Sequence, residues 1–105
     1  MKKPNLNFIN DLSEGDVEFK NKLLFLLKKE FANEYEIYQN TRLNNDFNGA
    51  VEIVHKLKHK IGLLGLKENY DYASSFELDL KNKNFSKHNS FQLILDEISV
   101  FLNDL

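Results

Sequence analysis

The sequence of 105 residues contains no cysteine, one proline and four glycines. The lack of cysteine excludes disulfide bonds, thiolate metal sites and cysteine nucleophiles. Long apolar runs are also missing: no stretch approaches the roughly 20 residues of a membrane-spanning helix, and no apolar segment follows the basic residues 1–4 as it would in a signal peptide. We therefore expect a cytoplasmic protein that does not insert into a membrane.

Neither sign of charge dominates the sequence. Fourteen Lys and Arg residues stand against sixteen Asp and Glu residues, which gives a net charge of -2. A chain with this balance has no general attraction for a polyanion, and no set of stacking aromatic residues accompanies its lysines, so we expect no nucleic-acid partner. The length and the 42% hydrophobic fraction predict one domain over residues 1–105 with a single core.

Helix breakers are scarce and no segment alternates between polar and apolar residues, so the sequence predicts an all-α protein. Apolar residues recur at spacings of three and four along four long segments, and a short helix is plausible before them. Short connectors make the expected fold an antiparallel up-and-down four-helix bundle with a short additional N-terminal helix. The predicted helices cover residues 6–12, 17–41, 47–64, 68–81 and 89–103, with Asp16 and Asp46 as N-caps and Gly65 at the end of the third.

The helix predicted over residues 47–64 carries the residue of greatest chemical interest, His55. At about 100° per residue, six apolar side chains of this helix fall within a wedge of roughly 100° that should face the core. His55 lies about 150° from the centre of that wedge, so we expect its imidazole to face solvent. Lys58, His59 and Gly62 follow on the same side of the helix. The six predicted core residues are Ala50, Ile53, Val54, Leu57, Ile61 and Leu64.

An exposed imidazole among lysines suits the chemistry of phosphoryl groups. A neutral imidazole is a competent nucleophile near pH 7. Residues 53–67 contain no acidic residue, so the sequence predicts a basic surface that would interact with an attached phosphoryl group. Gly62 costs about 1 kcal/mol relative to alanine inside a helix, and its lack of a side chain would let another protein approach closely. The lysines of this segment are Lys56, Lys58, Lys60 and Lys67.

The sequence here resembles the histidine-containing phosphotransfer (HPt) domains of bacterial and plant phosphorelays. The family pattern is His-x-Leu-Lys-Gly with a further glycine ten residues after the histidine. His55, Leu57, Lys58 and Gly65 occupy the matching positions. Two flanking pairs also agree, Asp46-Phe47 at the start of the helix and Phe76-Glu77 in the next one. The likeness covers residues 5–105.

The resemblance implies that His55 accepts a phosphoryl group from an aspartyl-phosphate and passes it to another receiver domain, while Lys58 helps to neutralise the phosphoryl charge. The implied partners are response-regulator receiver domains and a hybrid sensor histidine kinase. The receiver would hold the Mg²⁺, so no cofactor is expected on this chain, which we expect to be a free-standing monomer. Partner docking is assigned to Lys56, His59, Gly62 and Gly65.

His59 is the departure from the family pattern, because a glycine is usual at this position. Its imidazole would either hinder docking, hydrogen-bond the phosphoryl group or tune His55. The first possibility keeps a second hypothesis open, in which the chain is a helical module that binds receivers or other partners through the same surface without transfer. No kinase domain or other enzyme motif is present, so the chain is expected to be a phosphoryl-transfer intermediate rather than a stand-alone catalyst.

The histidines allow two further interpretations, a metal site and a solvated side chain. His55 and His59 form an HxxxH pair that could chelate a metal, but no third ligand is evident, Glu52 being the nearest carboxylate. We therefore expect no metal site. His88 falls in or beside a polar loop, where the sequence predicts a solvated side chain.

Overall fold

A computed structural model describes residues 3–105, which form five α-helices and no strand. The prediction of an all-α protein is therefore confirmed. None of the helices in the described residues is both long and apolar enough to cross a membrane. The observed ends differ from the predicted ones by at most two residues. The helices are α1 (Asn7–Ser13), α2 (Val17–Leu43), α3 (Phe47–Leu63), α4 (Lys67–Lys81) and α5 (His88–Asn103).

Aspartate side chains begin the two helices that precede and carry the candidate site. Asp16 accepts a hydrogen bond from the Phe19 amide at 3.0 Å and caps α2. Asp46 accepts one from the Gly49 amide at 2.9 Å and caps α3. Each bond satisfies an amide that has no partner within its helix, which stabilises the helix by about 1 kcal/mol. Both predicted N-caps are confirmed.

Gly65 ends α3 in a left-handed conformation, with φ of +79°. Its amide donates to the Gly62 carbonyl at 3.0 Å, and the Leu66 amide donates to the Ile61 carbonyl at 3.3 Å. These two bonds form a Schellman motif, which favours glycine because a Cβ atom strains this conformation. The prediction that Gly65 ends the helix is confirmed.

The hydrophobic core is built around α3, which packs against α2 and α4, while α5 packs against α4 and α2. All six side chains predicted to face the core from α3 are buried, and burial of each large one contributes about 1.5–3 kcal/mol. Val17, in contrast, was expected on the apolar face of α2 but is 68% exposed. The largest buried side chains from the other elements are Ile9, Tyr38, Leu66, Phe76, Leu80, Phe91, Leu95 and Ile98.

Candidate functional site

His55 lies near the middle of α3 on the side opposite the core. Its side chain is 55% exposed, while the adjacent Val54 is fully buried. The prediction of a solvent-facing histidine is confirmed. Exposure alone does not make an imidazole reactive, so the groups that contact each ring nitrogen decide what His55 can do.

The Nδ1 atom of His55 is held by a carboxylate from the neighbouring helix. Glu77 of α4 places Oε1 at 2.7 Å from Nδ1. The other oxygen, Oε2, lies 3.3 Å from Nζ of Lys58. The Glu77 side chain is only 12% exposed, so one buried carboxylate connects the imidazole to a lysine.

Two opposing effects act on the pKa of Glu77. Burial raises the pKa of this carboxyl group, because the charged form loses its hydration. Hydrogen bonds from His55 and Lys58, together with the positive charge of Lys58, lower it, and the pKa ends below its ordinary value of 4.5. Glu77 is therefore ionised near neutral pH and can only accept hydrogen bonds.

An ionised Glu77 fixes the position of the proton on a neutral His55. Because the carboxylate can only accept, Nδ1 must carry the hydrogen, and Nε2 is left with the lone pair. The ring is thereby oriented with its acceptor nitrogen away from Glu77. The sequence missed this contact because Glu77 belongs to another helix. A signal was nevertheless present, since Glu77 is an acidic residue at core spacing from Ala73 and Leu80.

Lys58 is buried, contrary to the expectation of a lysine that adds free positive charge beside His55. Its side chain is 10% exposed, and its amine is paired with Glu77. The amine also lies over the Tyr70 ring, 5.5 Å from its centroid, which is within the range of a cation–π contact. Lys58 therefore serves first to neutralise Glu77 in this structure.

The remaining lysines do not form one continuous basic surface. Lys60 is drawn to α2, with its amine 3.2 Å from a carboxylate oxygen of Glu30 and 2.9 Å from one of Glu34. Lys56 and Lys67 are exposed. The expectation of a basic surface is corrected accordingly, because acidic residues of other helices neutralise two of its four lysines. A shallow groove beside the imidazole is lined by Val51, Glu52, His55, Lys56, Glu77 and Lys81.

His59 is exposed and contacts the second nitrogen of His55. The two Nε2 atoms are 3.3 Å apart. The rings are nearly perpendicular, at 87°, with centroids 4.7 Å apart. Because Nε2 of a neutral His55 is an acceptor, the Nε2 atom of His59 must donate. The lone pair of His55 is thus occupied by a hydrogen bond in this conformation.

The two glycines assigned to partner docking have partners within the chain. A Cβ atom on Gly62 would lie 3.0 Å from Cδ2 of Tyr70, so the space expected to admit another protein is filled by the Tyr70 ring. A Cβ atom on Gly65 would lie 2.5 Å from the side-chain nitrogen of Asn5. Both glycines therefore permit close packing inside the molecule. The expectation that Gly62 leaves room for another protein is wrong, because Tyr70 occupies that room.

His88 is not the solvated loop residue that the sequence predicted. It begins α5 and is partly buried, with Nδ1 2.6 Å from the hydroxyl of Tyr38. Burial and the positive charge of Arg42 lower its pKa below the ordinary value of 6.5. These contacts give His88 a structural role at the junction of α2 and α5.

In residues 3–105 no group of three or more His, Asp or Glu side chains is arranged to hold a metal ion. The HxxxH pair of His55 and His59 thus has no third protein ligand there, since Glu77 contacts Nδ1 rather than the Nε2 side. Comparisons of the chain with protein-family models, curated proteins and solved structures find no match.

Proposed function

We propose that the chain is a histidine phosphotransfer protein, which carries a phosphoryl group between receiver-domain aspartates as a phosphohistidine at His55. The observation that carries the proposal is the 2.7 Å contact between Glu77 and Nδ1 of the exposed His55. It leaves the lone pair on Nε2, the nitrogen that can attack phosphorus. The resemblance of residues 5–105 to HPt domains supplies the identity of the donor.

The proposed transfer step needs no base from this chain. The Nε2 lone pair forms a bond to phosphorus while the bond from phosphorus to the aspartate oxygen breaks, and the aspartate leaves as a carboxylate with the bonding electrons. His55 then carries a proton on Nδ1 and the phosphoryl group on Nε2, so positive charge develops on the ring. Glu77 lies against Nδ1 and offsets that charge. The reverse step passes the phosphoryl group to another receiver aspartate.

Lys58 supports this step through Glu77 in the observed conformation. Its amine holds the carboxylate that orients His55. The direct role that the resemblance gives Lys58, neutralising the phosphoryl charge, remains a prediction and would require the amine to turn away from Glu77. Mg²⁺ is proposed on the receiver. Docking of the receiver is proposed around the imidazole, with Lys56 and His59 as the exposed contacts.

We also propose the antiparallel up-and-down arrangement of α2 to α5 as a four-helix bundle. Its support is the cyclic order of packing, in which each of these helices contacts the next and α5 contacts α2. The partners proposed for this bundle are receiver domains and a hybrid sensor histidine kinase. A monomer in the cytoplasm is part of the same proposal.

The test is phosphorylation of the whole chain by a panel of phosphorylated receiver domains with Mg²⁺. We expect wild type to gain acid-labile, base-stable phosphate and His55→Gln to gain none. Asn48→Ala is the matched control, because Asn48 is an exposed polar residue of the same helix; it should be labelled like wild type. Equal labelling of His55→Gln, or no labelling of wild type by any receiver, would refute the proposal.

The contact between His59 and Nε2 of His55 favours a second candidate, a helical module that binds receivers without transfer. It predicts a receiver complex, measurable by isothermal titration calorimetry, in which wild type gains no phosphate. In that case His59→Gly should gain transfer activity. If wild type does take up phosphate and His59→Gly does so at the same rate, His59 is tolerated during transfer and this second candidate is excluded.

A further inference from the structure

The hydrogen bond between His55 and His59 has a direction that Glu77 determines. Glu77 keeps the proton of a neutral His55 on Nδ1, so Nε2 of His55 accepts and Nε2 of His59 donates. The three groups form a chain that runs from an exposed donor to a buried carboxylate. Its middle atom, Nε2 of His55, is the proposed nucleophile.

One lone pair cannot accept a hydrogen bond and form a bond to phosphorus at the same time. The N–H group of His59 must therefore leave Nε2 before or during attack. His59 is exposed and lies on the adjacent turn of α3, so its ring can rotate about its side-chain bonds. After transfer, the phosphoryl oxygens stand where the lone pair pointed, and an N–H donor one turn away is well placed to reach one of them.

The amine of Lys58 does not compete for this role in the observed conformation. Lys58 is 10% exposed and paired with Glu77. Among the described residues, His59 is the group whose hydrogen bond is directed at Nε2 of His55. On the α4 side of His59 lies Tyr70, with ring centroids 6.3 Å apart.

We propose that His59 is a positioning residue of phosphoryl transfer. It donates to Nε2 of unphosphorylated His55 and, once the phosphoryl group occupies that atom, donates to a phosphoryl oxygen instead. This inference rests on the proposed function, because it requires phosphohistidine at position 55. It gives the residue that departs from the family pattern a part in the reaction itself, in addition to docking.

The first measurement uses the unphosphorylated protein and needs no donor. The ¹⁵N chemical shift of Nε2 in His55 reports whether its lone pair accepts a hydrogen bond. We compare wild type with His59→Phe, which keeps a ring but has no donor, and with His59→Gln, which keeps an N–H donor. The shift should move in His59→Phe and return toward the wild-type value in His59→Gln. An unchanged shift in His59→Phe overturns the inference.

The second measurement labels the protein with phosphoramidate, a small phosphoryl donor that needs no docking surface, and then adds an unphosphorylated receiver domain with Mg²⁺. The equilibrium constant for phosphohistidine over aspartyl-phosphate should be about fivefold lower in His59→Phe than in wild type, because the bond to a charged phosphoryl oxygen is the stronger of the two that His59 makes. His59→Gln should lie between them, and Asn48→Ala should match wild type. Equal equilibrium constants in wild type and His59→Phe overturn the inference while leaving phosphorylation of His55 intact. If wild type takes no phosphate from phosphoramidate or from any receiver, both proposals fail.

Discussion

Replacing Glu77 by glutamine tests the contact on which the proposed mechanism depends. Glutamine keeps the size of the side chain and one carbonyl oxygen, but it removes the negative charge. That charge faces Nζ of Lys58 at 3.3 Å and Nδ1 of His55 at 2.7 Å. Because the Lys58 side chain is only 10% exposed, water cannot fully replace the lost carboxylate.

The expected loss of stability depends on how deeply Lys58 and His55, the two partners of the carboxylate, are buried. A hydrogen bond to a charged group contributes about 1.5–3 kcal/mol, and loss of one partner from a fully buried ion pair costs about 3–5 kcal/mol. Glutamine still offers an acceptor to Lys58, and His55 is more than half exposed. We therefore use the range for a charged hydrogen bond, about 1.5–3 kcal/mol. We expect the free energy of unfolding to fall by about 2 kcal/mol, or the Tm by about 10 °C.

Urea unfolding at pH 7, followed by circular dichroism, measures this loss. The double variant Lys58→Met/Glu77→Gln closes a double-mutant cycle and should be more stable than Glu77→Gln alone, because it no longer buries an unpaired amine. Glu36→Gln is the matched control on an exposed surface of α2 and should change stability by less than about 0.5 kcal/mol. A loss below about 0.5 kcal/mol in Glu77→Gln would refute the reasoning. So would an equal loss when Glu77→Gln is made in wild type and in the Lys58→Met variant.

The ion pair of Glu77 and Lys58 also predicts that stability depends on pH. The pKa of Glu77 is lowered in the folded protein from its ordinary value of 4.5, so the unfolded chain binds the proton more readily. The stabilising contribution is therefore fully present above pH 4.5 and is lost as the pH falls through the folded pKa. The difference in stability between wild type and Glu77→Gln should shrink on acidification below pH 4.5.

Two further predictions concern stability away from the imidazole. Gly65→Ala should lower the free energy of unfolding by about 1–2 kcal/mol, because the φ of +79° is strained for alanine; a thermal melt that matches wild type would contradict this. The pKa of His88 is lowered by burial and by Arg42, so the stability due to neutral His88 is complete above pH 6.5 and lost as the pH falls below it. Urea unfolding from pH 7.5 to 5 should therefore show a steeper loss in wild type than in His88→Gln, and parallel curves would exclude this role.

The features that the sequence predicted well depend on neighbours within one helix. The core-facing side of α3 follows from 100° steps, the Asp46 cap from the residue before the first turn, and Gly65 from the left-handed end of the helix. The same local geometry placed His55 on the exposed side. Each of these properties needs no knowledge of how the helices pack, which is why they could be derived from a single sequence.

The features that the sequence missed come from another helix. Glu77 and Tyr70 both lie on α4, and they neutralise Lys58 and fill the space beside Gly62. His88 was assigned to solvent because the sequence could not show Tyr38 beside it. A helical wheel shows which side chains share a surface, but it cannot show what the adjacent helix presents to them.

In the proposed mechanism, the effect of His59 depends on a difference between two hydrogen bonds. A bond from its N–H group to the neutral Nε2 of His55 contributes about 0.5–1.5 kcal/mol, whereas one to a charged phosphoryl oxygen contributes about 1.5–3 kcal/mol. A residue that stabilised both states equally would shift no equilibrium. The excess of about 1 kcal/mol favours phosphohistidine about fivefold. His59 would thus shift the phosphorylation equilibrium toward this chain, relative to the glycine of the HPt pattern, because glycine has no side chain to donate in either state.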